Sequence, residues 1–126
     1  MVDADNIFCK LIKNTLYDIK KCEYTGYATN GISGYYSIMA AKPDIIILDY
    51  ILPELDGITL LNRIDKMENY YPYIIMFCGL GNEMIVQQVL INGANICCVQ
   101  PYSIEEIISL IKQAIDILDS VTQMRG

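Results

Sequence analysis

The chain has 126 residues, 53% of them hydrophobic, and a formal net charge of −6, which fits one compact domain and disfavours nucleic-acid binding because no basic stripe is present. It has no histidine, which excludes a Ser-His-Asp triad, a histidine general base and the usual zinc sites. No signal peptide or membrane span of roughly 20 apolar residues is visible, so we expect a cytoplasmic protein.

Short apolar segments alternate with amphipathic ones along the whole chain. The predicted strands are 1–3, 24–28, 44–49, 73–77 and 96–99, and the predicted helices are 7–18, 32–41, 57–67, 82–91 and 103–119. Strict alternation of five strands and five helices predicts a doubly wound α/β fold of the flavodoxin-like class, with a parallel sheet and right-handed crossovers. We assign 1–119 to this domain and 120–126 to the start of a linker. The first strand is short, so it is either truncated or continued upstream of the given sequence.

The most informative segment is the central strand, which is a continuous apolar run that ends in a carboxylate at Asp49. Such a run is typical of a strand buried on both faces of a parallel sheet. Open α/β sheets bind ligands at the carboxyl ends of their strands, and burying a lone charge is costly. Asp49 is therefore predicted to be a site residue. The alternative is a strand-end acid that accepts hydrogen bonds from nearby amides.

The order of strand, acid, proline turn, glycine and helix over 44–57 resembles the phosphoacceptor segment of bacterial response-regulator receiver domains, which are CheY-like. The resemblance covers essentially the whole chain. It implies that Asp49 accepts phosphate and that Asp5, 44 residues earlier, binds magnesium directly. The backbone carbonyl of Ile51 is the third ligand that the resemblance implies. The segments around both acids are most similar to the receiver of the sporulation master regulator of spore-forming bacteria.

Several positions depart from the receiver pattern. Ala4 stands where the first acid of a pair belongs, and Asp3, one residue earlier, is expected to face the other way. Cys78 replaces the Thr or Ser hydroxyl, Gln100 replaces the lysine before a proline, and Cys97 replaces the aromatic switch residue. We therefore expect weak or absent magnesium binding and a broken phosphate switch.

The cysteines have a simpler interpretation. Their odd number and their spacing fit neither a disulfide framework nor a zinc site, and small buried hydrophobic residues in a reducing compartment are the expected role. The five are Cys9, Cys22, Cys78, Cys97 and Cys98. A redox sensor at Cys78 is the alternative, although no neighbouring cation is visible that would lower its pKa. Cys97 and Cys98 are adjacent in a predicted strand and should point to opposite faces.

Two functions of different classes follow. The first is a non-enzymatic, atypical receiver that regulates transcription through dimerisation or partner docking, with DNA bound only by an output domain beyond Gly126. The second is a working receiver that is phosphorylated on Asp49 with magnesium by a histidine kinase or phosphotransferase. A flavodoxin-like cofactor binder is a third option, but the chain lacks a glycine-rich phosphate loop after the first strand.

The expected dimer surface is the face that receivers commonly use. It combines the fourth predicted helix, the fifth strand and the fifth helix, over 84–91, 96–99 and 103–119. The segment 84–91 is apolar almost all round, which exceeds what one buried stripe requires. The sequence therefore predicts a homodimer that forms without phosphate.

Overall fold

The structure is a computed structural model that describes residues 1–3, 5–16 and 24–125. Its helices and strands alternate after an initial pair of helices. They are α1 (Asn6–Leu16), α2 (Gly31–Ala41), β1 (Ile45–Asp49), α3 (Gly57–Asp65), β2 (Tyr73–Phe77), α4 (Glu83–Ile91), β3 (Ile96–Cys98) and α5 (Ile104–Arg125). The strands β1, β2 and β3 correspond to the third, fourth and fifth strands predicted from the sequence.

The sheet is parallel, in the order β1-β2-β3. Val2 extends it, because this residue forms parallel bridges to both Leu48 of β1 and Ala28. Val2 therefore lies next to β1 and Ala28 lies beyond it, which gives the order Ala28, Val2, β1, β2, β3 across the sheet. The doubly wound flavodoxin-like fold is confirmed. Each of the first two predicted strands is reduced to an isolated bridge residue, Val2 in the first and Ala28 in the second.

The core has two layers, one on each side of the sheet. Side chains on successive strand residues point to opposite faces, so the apolar run of β1 supplies both layers. One layer packs β1 and β2 against α2, α3 and α4, and the other packs them against α1 and α5. The first layer includes Ile46, Leu48, Met76, Leu60 and Val89; the second includes Ile47, Ile75, Phe77, Ile12 and Ile111.

Short polar side chains fix the starts of several helices. Asn30, Asp56 and Asn82 cap α2, α3 and α4, each accepting a hydrogen bond from the backbone N–H three residues on. The start of α5 is capped in the same way, since Ser103 Oγ accepts from the Glu106 N–H at 3.1 Å. These caps set the helix positions around the sheet.

The end of the fifth helix differs from the prediction, whereas the predicted end of the first helix is not among the described residues. Part of the first predicted helix, 17–18, lies outside the described residues, and α1 is described to Leu16. The fifth helix continues to Arg125 and has no break at 119. Residues 120–125 contain neither proline nor glycine, so nothing in the sequence ends the helix there. The assignment of 120–126 to a linker stays a prediction, with the helix continuing into it. Among the described residues, no helix is both long and apolar enough to cross a membrane.

Candidate functional site

Four polar or thiol side chains follow the ends of neighbouring strands. Asp3 follows the bridge residue Val2, Asp49 ends β1, Cys78 follows β2 and Gln100 comes two residues after β3. Because the carboxyl ends of parallel strands meet at one edge of a sheet, these residues lie at the same edge. This is where the sequence placed the candidate site.

Asp49 is half-buried at this edge. Its backbone N–H donates to the Val2 carbonyl at 2.8 Å, and its Oδ1 accepts a hydrogen bond from the Ile51 N–H at 3.3 Å. Burial, as the largest cause, and the negative charge of Asp3 together raise the pKa of Asp49 to about 6. The Asp49 carboxyl is therefore partly protonated near neutral pH.

Asp3 is the neighbour responsible for that charge, and it is itself 6% exposed. Its Oδ1 accepts a hydrogen bond from the Asp5 N–H at 2.9 Å, and its carboxyl lies beside the carboxyl of Asp49. Burial raises the pKa of Asp3 as well. Two carboxyls this close ionise as a pair and share a proton in the intermediate state.

The expectation that Asp3 faces away from the site is wrong. The signal that could have revealed its position is the pairing of Val2 with Leu48, because the acid that follows each of these residues is then in register with the other. Residues in register on parallel strands point to the same face. The direction of the Asp3 side chain is set by the pairing of Val2 with Leu48 across the sheet, and the neighbours of Asp3 along the chain do not reveal it.

The other predicted ligands are placed less closely. Asp5 is exposed at the start of α1, and its backbone contacts the Asp3 carboxyl. Ile51 has a 72% exposed side chain, while its backbone N–H reaches Asp49. Ala4 lies outside the described residues. The assignment of Asp5 and the Ile51 carbonyl to a metal stays a prediction.

Cys78 and Cys97, the residues at the hydroxyl and switch positions, contact each other. Their Sγ atoms are 2.7 Å apart. Cys78 is buried and Cys97 is partly exposed. Burial is the main cause that raises the pKa of Cys78 well above its ordinary value, and the hydrogen bond with Cys97 adds to it. Cys97 packs in the layer with α4, whereas Cys98 packs in the layer with α5, which confirms that they face opposite ways.

Gln100 contacts an aromatic residue that sequence reasoning missed. Its side chain lies near the Tyr102 hydroxyl, and the Tyr102 ring stacks on Phe77 with centroids 5.0 Å apart. Burial raises the pKa of Tyr102, and the charges of Asp49 and Asp3 raise it further. The hydroxyl is therefore close enough to the two acids to sense them. An aromatic residue two positions after a strand-end polar residue was the available signal.

The acid pair fits a hard divalent cation. Among residues 1–3, 5–16 and 24–125 no group of three or more acidic, cysteine or histidine side chains could hold a metal. Magnesium, however, is usually bound by one or two carboxylates together with phosphate oxygens and waters. The mutual repulsion of Asp3 and Asp49 is the interaction that a cation between them would relieve. These two residues would hold magnesium, which supplies charge neutralisation to an incoming phosphoryl group.

Comparison with known proteins identifies the family. Residues 1–112 match the response regulator receiver domain. The chain belongs to the response regulator receiver family. This receiver is therefore a module of two-component signalling, a group whose receiver domains are mostly non-enzymatic.

Solved structures agree with this assignment. The receiver domain of the Francisella response regulator 1452 is 25% identical, with a TM-score of 0.82 over 93% of this chain and 94% of that one. The response regulator domain of Thermotoga maritima CheB is 26% identical, with a TM-score of 0.79 over 91% and 92%. The receiver of a putative Luxo repressor protein from Vibrio parahaemolyticus is 18% identical, with a TM-score of 0.87 over 99% and 94%, and supports the fold alone.

Proposed function

We propose that this receiver is an atypical one that regulates its output through dimerisation or partner docking, with little dependence on phosphorylation. The observation that carries the proposal is that Cys78, at the position of the sensing hydroxyl, contacts the neutral thiol of Cys97 with the two Sγ atoms 2.7 Å apart. Gln100, at the position of the lysine, is likewise uncharged and lies near the Tyr102 hydroxyl. In the receivers that this chain resembles, a hydroxyl, an aromatic residue and a lysine occupy these positions and couple phosphate to shape.

The energetic consequence of these replacements is large. A hydrogen bond to a charged group contributes about 1.5–3 kcal/mol, and replacing the lysine with the uncharged Gln100 forfeits a comparable amount of phosphate stabilisation. A thiol is a weak hydrogen-bond donor, so Cys78 would respond poorly to a phosphoryl group on Asp49. A ligand that interacts equally with two conformations cannot shift the equilibrium between them.

The proposed assembly surface is the face built from α4, β3 and α5. Large apolar side chains remain exposed on or beside these elements, including Met84 at 79% and Ile91 at 83%. A patch of this kind is typical of an interaction surface. We propose a homodimer through this face and a transcriptional output through a DNA-binding domain carried elsewhere in the protein. We propose that this module is not an enzyme and that it acts in sporulation, as the sequence resemblance of the segments around Asp5 and Asp49 implies.

A second candidate function is a working receiver that takes phosphate on Asp49 with magnesium from a histidine kinase or phosphotransferase. The position of Asp3 favours it, because this buried carboxyl supplies the second acid that the sequence lacks at position 4. Catalysis of phosphoryl transfer depends mainly on positioning and charge neutralisation. Asp3 and Asp49 would retain part of the capacity for phosphoryl transfer. Cys78, Cys97 and Gln100 lack the groups that couple phosphate to a change of shape in the receivers that this chain resembles.

The two candidates are separated by intact-mass measurement during incubation with acetyl phosphate and magnesium, followed by sedimentation velocity. The atypical receiver should be phosphorylated slowly and keep its sedimentation coefficient. A Cys78→Thr/Gln100→Lys variant is the matched comparison and should gain phosphate faster, since it regains the hydroxyl and the cation. Rapid, stoichiometric phosphorylation of the wild type with a change in oligomeric state would support the second candidate.

A further inference from the structure

We propose that Cys78 and Cys97 form a reversible disulfide when a hydroperoxide oxidises the protein. The two residues lie on one face of neighbouring parallel strands, because Met76 pairs with Cys97 and Cys78 follows two residues after Met76. Their Sγ atoms are 2.7 Å apart. A disulfide bond measures about 2.05 Å, so the sulfurs need to approach by only about 0.7 Å.

The surroundings distinguish this pair from the other thiols. Cys78 is 4% exposed and Cys97 is partly exposed, so Cys97 is the sulfur that meets an oxidant first. Cys98 is adjacent in sequence but packs on the opposite face of the sheet, against the layer with α5. Cys9 is buried in α1, where its Sγ contacts the Asp3 carbonyl at 3.5 Å. Cys22 lies outside the described residues.

The chemistry balances as a two-electron oxidation. The Cys97 thiol loses its proton, and the thiolate attacks one oxygen of the hydroperoxide ROOH, breaking the O–O bond. The departing alkoxide takes up that proton, which gives a sulfenic acid and ROH. The Cys78 sulfur then attacks the sulfenic sulfur, the S–O bond breaks, and water leaves with the proton of Cys78. Overall, two thiols and ROOH give one disulfide, ROH and H₂O. Burial raises the pKa of Cys78, so Cys97 is the thiol that reacts first with the hydroperoxide.

The location gives the cross-link a consequence for the site. Cys78 begins the loop to α4, in which the Gly81 N–H donates to its carbonyl at 2.9 Å. Cys97 lies in β3, which belongs to the proposed assembly face. A disulfide between Cys78 and Cys97 would connect the sheet edge that carries Asp3 and Asp49 to the proposed assembly face, without phosphorylation. This consequence rests on the proposed function, whereas formation of the disulfide does not.

The test is thiol counting on the full chain before and after treatment with hydrogen peroxide. Alkylation under denaturing conditions, read by intact mass, should fall from the five cysteines of the reduced protein to three, and dithiothreitol should restore five. Peptide mapping should place the cross-link between Cys78 and Cys97. The Cys97→Ser and Cys78→Ser variants should lose it, and the matched Cys98→Ser variant should keep it.

Three results would overturn the proposal: five alkylated thiols after peroxide treatment, a cross-link that involves another cysteine, or irreversible oxidation of Cys97 without a bond to Cys78. Sedimentation velocity of the oxidised and reduced protein then tests the link to assembly separately. An unchanged sedimentation coefficient with a mapped Cys78–Cys97 disulfide would refute only the consequence for assembly. A change that also occurs in Cys97→Ser would likewise have another cause.

Discussion

The buried carboxyl of Asp3 lies beside the carboxyl of Asp49 at the carboxyl edge of the sheet, because Val2 pairs with Leu48. When both carboxyls are ionised, two like charges lie side by side in a partly buried site. Both pKa values are raised, mainly by burial, so ionising the pair costs folding free energy. The same arrangement places a second oxygen ligand beside the expected phosphoacceptor. The first two predictions depend on this relationship.

Replacing Asp3 with asparagine should stabilise the protein near pH 8. A carboxyl whose pKa is raised in the folded state stabilises the fold below its unfolded pKa, and that contribution is lost as the pH rises through the folded pKa, which is about 6 for Asp49. Asp3→Asn removes one of the two like charges. Because Asp49 is partly open to solvent, we expect a gain of only about 1 kcal/mol.

Urea denaturation at several pH values is the measurement. The wild type should lose stability between about pH 4 and pH 7, and the advantage of Asp3→Asn should shrink toward zero near pH 4, where both carboxyls are protonated. Glu68→Gln, which neutralises an exposed acid after α3, is the matched control. Its stability should follow that of the wild type at every pH, because it keeps both Asp3 and Asp49. An Asp3→Asn variant less stable than the wild type at pH 8 would contradict the assignment of a repulsive pair.

Magnesium binding should depend on Asp3 more than on Asp5. Asp3 is buried beside Asp49, whereas the Asp5 residue is exposed and reaches the pair through its backbone N–H. Calorimetric titration near pH 8 should give weak binding, tightened by higher pH because the cation competes with the shared proton. We expect Asp3→Asn to weaken it about tenfold, a loss of roughly 1.4 kcal/mol. A larger loss in Asp5→Asn would restore the assignment made from sequence.

The sequence predicted the sheet well because the apolar runs of β1 and β2 are long and end in clear turn signals. It predicted β2 with the observed bounds, Tyr73–Phe77. It failed at Asp3, because the direction of that side chain depends on which residue Val2 pairs with across the sheet. No local pattern encodes that register when a strand is one residue long.

The contacts of Cys78, Cys97 and Gln100 could not be predicted from local sequence pattern either. The pairing of Cys78 with Cys97 depends on the relative register of β2 and β3. The proximity of Gln100 to Tyr102 depends on the path of the loop after β3. Residue types and spacing identified three of these four positions as site positions, since each follows or lies in a strand, but their partners required three-dimensional placement. The length of α5 was missed because no residue signals its end.

The cap of α3 should be a measurable contributor to stability. Asp56 accepts hydrogen bonds from the Thr59 N–H at 2.9 Å and from the Thr59 hydroxyl, and the hydrogen bond from the Thr59 N–H is the main cause that lowers the pKa of Asp56. Asp56→Ala should cost about 1 kcal/mol near pH 7. Because the pKa is lowered, the carboxylate's contribution is present above its unfolded pKa and is lost as the pH falls through its folded pKa.

Chemical denaturation of Asp56→Ala and Asp56→Asn tests this cap. Asparagine is also a good N-cap, so Asp56→Asn should keep most of the stability and lose the dependence on acid pH. Equal destabilisation by both variants would mean that the charge near the helix N-terminus matters more than the capping hydrogen bond.

The last prediction concerns the assembly face. If the receiver pairs through α4, β3 and α5, a charge at an exposed apolar position on α4 should separate the subunits, since burying an unpaired charge is costly. Met84→Glu and Ile91→Glu alter side chains that are 79% and 83% exposed, so the fold itself should tolerate them. Tyr71→Glu is the matched control, because Tyr71 is 88% exposed and comes just before β2, at the amino ends of the strands. Sedimentation equilibrium over a wide concentration range should give a dimer for the wild type and for Tyr71→Glu, with and without acetyl phosphate, and a monomer for the two α4 variants. A wild type that stays monomeric at high micromolar concentration would exclude self-association and leave docking of a different partner as the role of this face.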